Sequence, residues 1–238
     1  MTVTTNGRSA QPKPDGRSTR WDDHRAQRRA SLVREARRAI HDLGPGASMD
    51  DIAAVASTSK SIFYRYFEDK AGLRLAVAES VVRGMHRRLA EASHEAPSPH
   101  AALRAMVRTY LQTIESSPNV YWFVTRTAIG GNEPDDDSAR SQALGAYLDS
   151  VITLVAEPFA EAAGVPQATA AAWAAGAVGF VRGTGEWWLG HTRADGLTRD
   201  ELIDQVTTWL WNGPVGVLHQ EPAGNRPSVA PLTTPQES

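Results

Sequence analysis

Lys60, Ser61, Tyr64 and Arg65 are the residues of this chain best suited to meet a polyanion. Two cations, a hydroxyl and a phenol supply donors for phosphate oxygens and base edges. Phe63 and Phe67 lie four residues apart, so on a helix they share a face. Burying that face turns the four polar side chains outward. Ser59 stands where an N-cap would start this short helix, and Ser57-Thr58 separates it from another short helix. In that preceding helix Met49, Ile52, Ala53 and Ala56 make an apolar stripe. Ser48 is placed to cap it, with Asp51 three residues on to favour the free N–H groups of the first turn. Small Ala53 and Ala56 allow close packing. Two short helices joined by a brief turn read as a helix-turn-helix aimed at a major groove.

Enzyme chemistry finds no such support. The chain has no cysteine, which removes disulfides, thiolate catalysis and thiolate metal sites together. His24, His41, His86, His94, His100, His191 and His219 include no pair at metal-ligand spacing, and no His-Glu-x-x-His occurs. Neither a Gly-x-Ser-x-Gly elbow nor a phosphate loop ending in Lys-Ser/Thr is present, and Gly183-Thr184-Gly185 is too short to count. Asp135-Asp136-Asp137 reads as a solvated loop rather than a cation site. The expectation is a non-enzyme with no metal and no cofactor. Charge is uneven: residues 1–70 carry 13 Lys and Arg against 9 Asp and Glu, the remainder 12 against 18. A basic front suits a polyanion. No run of about twenty apolar residues appears, and the first twenty residues lack a signal peptide's apolar segment. A cytoplasmic location away from membranes is expected.

The elements that position these residues read as helices throughout, so the fold class is all-α. Residues 1–20 and 219–238 are polar and rich in Pro, Gly, Ser or Thr, the composition of disordered tails, the first of them basic. A DNA-binding domain is expected over 21–70 and a larger helical domain over 71–218. The first helix spans about Trp21–Leu43, with Leu32, Val33, Ala36, Ala39, Ile40 and Leu43 on one face, and Gly44-Pro45-Gly46 stops it. Asp69 is placed to cap a long helix reaching about Ala92. Further helices read as Pro99–Ser116, Asn119–Ile129, Ser138–Ala163, Pro166–His191 and Arg199–Asn212, the last opened by a Thr198/Glu201 capping box. Gly130 to Asp137 is a polar loop.

The segment from Ser48 to Leu73 resembles the DNA-binding domain of TetR-family transcriptional regulators. The shared features are Ile52-Ala53, Ser59-Lys60, Tyr64-x-Tyr66-Phe67, the acidic-Lys step at Asp69-Lys70, and Leu73. The family usually carries Ala-Gly-Val at the turn, where this chain has Ala56-Ser57-Thr58. A glycine suits positive φ there, which costs Ser57 a steric penalty. The resemblance implies base or nearby phosphate contacts for Lys60, Ser61, Ile62 and Tyr64, and backbone grips for Ser48, Ser59, Tyr66 and Lys70. Arg65 faces outward and fits either role. Ile62 is open between a thymine methyl and packing beside Phe63, and Tyr66 between phosphate and core. Arg17, Arg20, Arg25, Arg28 and Arg29 are open between a minor groove or phosphates and a solvated face.

For the rear domain the resemblance implies an effector cavity and a dimer-forming helix pair. Candidate lining residues are Tyr110, Tyr121, Trp122, Phe123, Trp173, Phe180 and Trp187, with Arg126 and Arg182 to meet an anionic head group; for each, plain packing is the competing reading. The Ala- and Gly-rich helix ending at His191 suits close pairing with a second copy, completed by Thr207, Leu210, Trp211 and Leu218. Gly185 to Gly190 followed by Thr198 to Trp211 resembles the C-terminal region of some actinobacterial members that respond to fatty acyl thioesters. The expected protein is a homodimer on double-stranded palindromic operator DNA, a repressor released by a small hydrophobic effector. An activator of the same architecture and a helical adaptor that has lost DNA binding are the alternatives.

Overall fold

The computed structural model describes residues 16–125, 137–191 and 196–218, and among these every regular element is an α-helix. In chain order they are α1 (Gly16–Leu43), α2 (Met49–Val55), α3 (Lys60–Phe67), α4 (Lys70–His94), α5 (Pro99–Ser116), α6 (Pro118–Thr125), α7 (Asp137–Ala163), α8 (Gln167–His191) and α9 (Arg199–Leu218). The expected all-α class holds. Residues 1–15 and 219–238, expected as tails, and Arg126 lie outside the described residues.

α1 begins at Gly16, ahead of the expected Trp21, so residues 16–20 are helical rather than tail. Lengthening a helix already nucleated downstream fixes few extra dihedrals per hydrogen bond gained, and Arg17 to Arg20 include no breaker. The other end is sharp. Gly44 takes φ +98 and its N–H donates to the Ile40 carbonyl at 2.9 Å, a C-terminal cap that glycine adopts without a Cβ penalty.

The chain forms two compact units, Met1–Arg88 with Thr113–Val151, and Leu89–Gln112 with Ile152–Ser238. In the first, Leu32, Ala36 and Ile40 of α1 pack with Ile52 of α2, Phe63 and Phe67 of α3, Leu73 and Val77 of α4, and Phe123 of α6. Burying each of these large side chains contributes roughly 1.5–3 kcal/mol. His41 ties α1 to α6: its carbonyl accepts from Asn119 Nδ2 at 2.7 Å, and its Nδ1 lies 3.3 Å from Ser117 Oγ.

In the second unit Leu103, Met106, Val107, Ala170, Ala174, Trp188, Leu202, Ile203 and Val206 are buried. The expected capping box opens α9, with Glu201 N–H donating to Thr198 Oγ1 and the Glu201 carboxylate accepting from Thr198 N–H. Those hydrogen bonds hold the Glu201 carboxyl below its ordinary value. Trp188 Nε1 donates to the Leu197 carbonyl at 2.9 Å, and Phe180 stacks on Trp209 with centroids 4.1 Å apart. Gly213 (φ 69, ψ 170) breaks the helical path in α9, next to the expected end at Asn212.

Candidate nucleic-acid interface

α2 starts with a complete capping box. Asp51 N–H donates to Ser48 Oγ at 3.2 Å, and the Asp51 carboxylate accepts from Ser48 N–H at 3.1 Å and from its hydroxyl at 2.6 Å. The Ser48 hydrogen bonds, with help from the Lys70 charge, keep the Asp51 carboxyl below its usual range. Ser48 is thus engaged locally. Lys70 Nζ reaches back to the Gly46 carbonyl at 3.3 Å, so the start of α4 is fastened to the loop before α2.

The turn between α2 and α3 has the strain expected of it. Ser57 sits at φ +50, a region where an L-residue is disfavoured by roughly 1–2 kcal/mol. N–H groups of Ser57 and Thr58 donate to the carbonyls of Ala54 and Ala53, which closes the turn. Ser59 is the N-cap residue of α3 but makes no side-chain cap; its hydroxyl instead lies 3.0 Å from Ser61 Oγ, and both residues are exposed.

α3 divides as its spacing predicts. Phe63 is fully buried and Phe67 nearly so, with ring centroids 5.8 Å apart. Lys60, Ser61, Tyr64 and Arg65 are exposed, Tyr64 at 40%. Ile62 and Tyr66, each open between two roles, are half-buried and pack against the core cluster. The Arg65 guanidinium lies 5.5 Å from the Tyr66 ring centre, and the Lys60 ammonium 5.6 Å from that of Tyr64.

Sequence reasoning missed three features of this surface. Lys60 is paired with Asp50, Nζ to carboxylate 2.8 Å, and that hydrogen bond raises the Lys60 pKa. Only their spacing of ten residues across the turn hinted at the contact. Gly72 is obligatory: a Cβ there would sit 2.1 Å from the Phe67 carbonyl oxygen. Of the arginines on α1, Arg28 lies 3.5 Å from Thr58 Oγ1 and Arg29 lies over the Phe67 ring, so both are drawn into packing. Arg25 remains exposed and lines an open cleft of about 460 Å³ with Trp21, His24, Arg65 and Tyr66.

The effector candidates divide between the two units. Tyr121, Trp122 and Phe123 belong to the first, where Phe123 is buried in the core cluster and the Arg74 guanidinium lies 5.3 Å from its ring centre. Tyr110, Trp173, Phe180 and Trp187 belong to the second. Tyr110 and Phe180 are half-buried, while Trp173 and Trp187 are about half exposed. Arg182 pairs with Glu186 at 3.0 Å. Thr207, expected at a subunit surface, is instead buried within its unit.

Comparisons with known proteins agree with this geometry. Residues 32–77 match the family model described as bacterial regulatory proteins, tetR family, and residues 88–225 match that of a tetracyclin repressor-like C-terminal domain. An uncharacterised HTH-type transcriptional regulator of Mycobacterium tuberculosis is 30% identical over 87% of this chain and 85% of its own. The transcriptional activator FasR of Mycolicibacterium smegmatis is 26% identical, over 89% of this chain and 94% of its own. The fold is shared with FadR of Bacillus subtilis, solved in complex with stearoyl-CoA: TM-score 0.59, 16% identity, 76% of this chain and 96% of that one. Among the described residues no helix is long and apolar enough to cross a membrane. With one family model on the helix-turn-helix and another on more than half of the chain, this protein belongs to the TetR family of helix-turn-helix transcriptional regulators.

Proposed function

We propose that this regulator binds a palindromic operator as a homodimer and leaves it when a long-chain acyl thioester binds. The observation that carries the DNA half is the split of α3, with Phe63 and Phe67 closed into the core and Lys60, Ser61, Tyr64 and Arg65 presented together. Ser48, Ser59, Tyr66 and Lys70 flank them as backbone contacts, and Ile62 offers an apolar edge to a thymine methyl. Two such helices must stand about 34–36 Å apart to enter successive major grooves, which calls for a second copy. α8 supplies a surface for one: Ala172, Gly176, Gly179 and Gly183 follow one another at helical spacing and are exposed beside Trp173 and Trp187. Small residues permit close helix approach, and exposed tryptophans are unusual on a surface meant for water alone.

The acyl class draws its support from the stearoyl-CoA complex of FadR. Tyr110 and Phe180, half-buried in the second unit, are the proposed contacts for the hydrocarbon. The effector acts by binding the DNA-free conformation more tightly than the bound one. FasR is an activator, which favours a second reading: the same architecture with its operator upstream of a promoter.

The deciding experiment is selection of bound fragments from source DNA by the purified protein, then titration of stearoyl-CoA against the selected site. Recovery of one palindrome, released by micromolar stearoyl-CoA, is the expected result. Failure to enrich any site would refute the operator reading. Enrichment without release would refute the acyl reading alone. In vitro transcription from the selected promoter separates repression from activation.

A further inference from the structure

We propose that the cleft between the C-terminal half of α1 and the start of α6 binds a small phosphorylated molecule carrying at least two phosphates, of nucleotide size. Arg34, Arg37, Arg38 and His41 follow one another at i, i+3, i+4 and i+7, so they share one helix face. Leu32, Val33, Ala36, Ala39 and Ile40 occupy the opposite face and carry the contacts to α2 and α3. The arginine face is therefore turned away from the helix-turn-helix. With Asp42, Ser117 and Val120 these residues line an open cleft of about 630 Å³. That volume falls within the range of small-molecule sites and exceeds what one inorganic ion needs.

Cations outnumber acids in the lining of this cleft, and among the described residues its arginines are not ion-paired. Among the described residues no carboxylate lies within ion-pair distance of Arg34, Arg37 or Arg38, and Asp42 is the only acid in the lining. Arg37 is half-buried, and burial together with the nearby Arg88 guanidinium of α4 pushes its pKa down. A guanidinium withdrawn from water beside another of like charge is destabilising until an anion joins them. Three planar forks on adjacent turns suit phosphate oxygens, which accept paired N–H donors, and Ser117 Oγ adds a neutral hydroxyl. Because His41 and Ser117 already meet across the cleft, a ligand there would bridge α1 and α6. The cleft residues belong to the first unit and the proposed hydrocarbon contacts Tyr110 and Phe180 to the second, so ADP binding is tested without any acyl group.

The test uses the full-length protein, with ADP and inorganic pyrophosphate titrated calorimetrically and sodium sulfate as the control at matched ionic strength. Saturable binding of ADP and pyrophosphate at one site per chain is expected, with sulfate at least tenfold weaker. Arg34→Gln with Arg38→Gln, both exposed, should weaken ADP at least tenfold and leave the helical circular dichroism and the affinity for genomic DNA unchanged. Arg37→Gln should do the same. Absence of saturable binding to the native protein would overturn the proposal. So would variants that bind ADP normally, or variants whose loss falls on DNA instead, which would make the cleft a contact for the DNA backbone.

Discussion

The two ends of this chain solve opposite surface problems. In the helix-turn-helix, the aromatic Phe63 and Phe67 are buried and cations are shown to solvent. In α8 and α9 the pattern inverts: Ala170, Ala174 and Ala177 are buried, while Trp173, Trp187, Trp209 and Trp211 are exposed. The first surface suits a hydrated polyanion, where each contact exchanges a counterion for an Arg or Lys. The second suits a dry partner of matching shape, because glycine and alanine permit close approach and tryptophan gains most from losing water. The contrast teaches that exposure alone does not identify a binding surface; the chemistry of what is exposed names the partner.

The sharpest way to break the comparison is at the first surface. Lys60→Ala with Tyr64→Ala should lower affinity for the selected operator at least about 30-fold, since each good base contact contributes about 1–3 kcal/mol. Electrophoretic shift gives the affinity, and an unchanged helical circular dichroism spectrum shows the core intact. Specific binding that persists would remove α3 from the interface.

At the second surface the matching change is Gly179→Arg. A Cβ at Gly179 meets nothing within 4 Å in its own chain, so the fold tolerates a side chain that a closely packed second copy does not. Light scattering at micromolar concentration should then give the monomer mass where the native protein gives the dimer. A native monomer, or a dimeric variant, would break the assignment of α8 to the interface. A smaller effect, on stability rather than assembly, is expected at Gly72→Ala. The added methyl collides with the Phe67 carbonyl oxygen, and overpacking of this kind costs about 1–3 kcal/mol, read as a lower thermal midpoint.

Much of the front of the molecule was legible because its cues are local. The Leu32 to Ile40 stripe, the Ser48 cap and the Phe63/Phe67 pair each follow from spacing within one or two helical turns. The Ser57 strain followed from a turn whose path favours glycine. Ser57→Gly removes that strain and should raise stability by up to about 1 kcal/mol. What escaped notice depends on contacts between elements rather than within one helix. The Lys60–Asp50 pair spans the turn, the Gly72 constraint comes from a carbonyl of the preceding helix, and Phe123 joins the core of α1 to α4 through α6. In α8 apolar residues surround the whole helix, so periodicity marks no inner face, and Trp173, a candidate for the cavity lining, is exposed while Trp188 is buried.

The smallest expected effect tests how the first surface is held ready. Asp50 pairs with Lys60 in the free protein, and their hydrogen bond raises the Lys60 pKa. DNA must therefore compete with Asp50 for that ammonium. Both residues are exposed, so the pair itself adds little stability. Asp50→Asn removes a negative charge facing the phosphates and should strengthen binding to random DNA by about threefold, with a steeper salt dependence if Lys60 gains a phosphate. Operator affinity should rise less, which lowers the ratio of specific to random binding. If random-sequence affinity instead falls, Asp50 is positioning Lys60 for its contact rather than competing for it, and the surface is prearranged by its own ion pair.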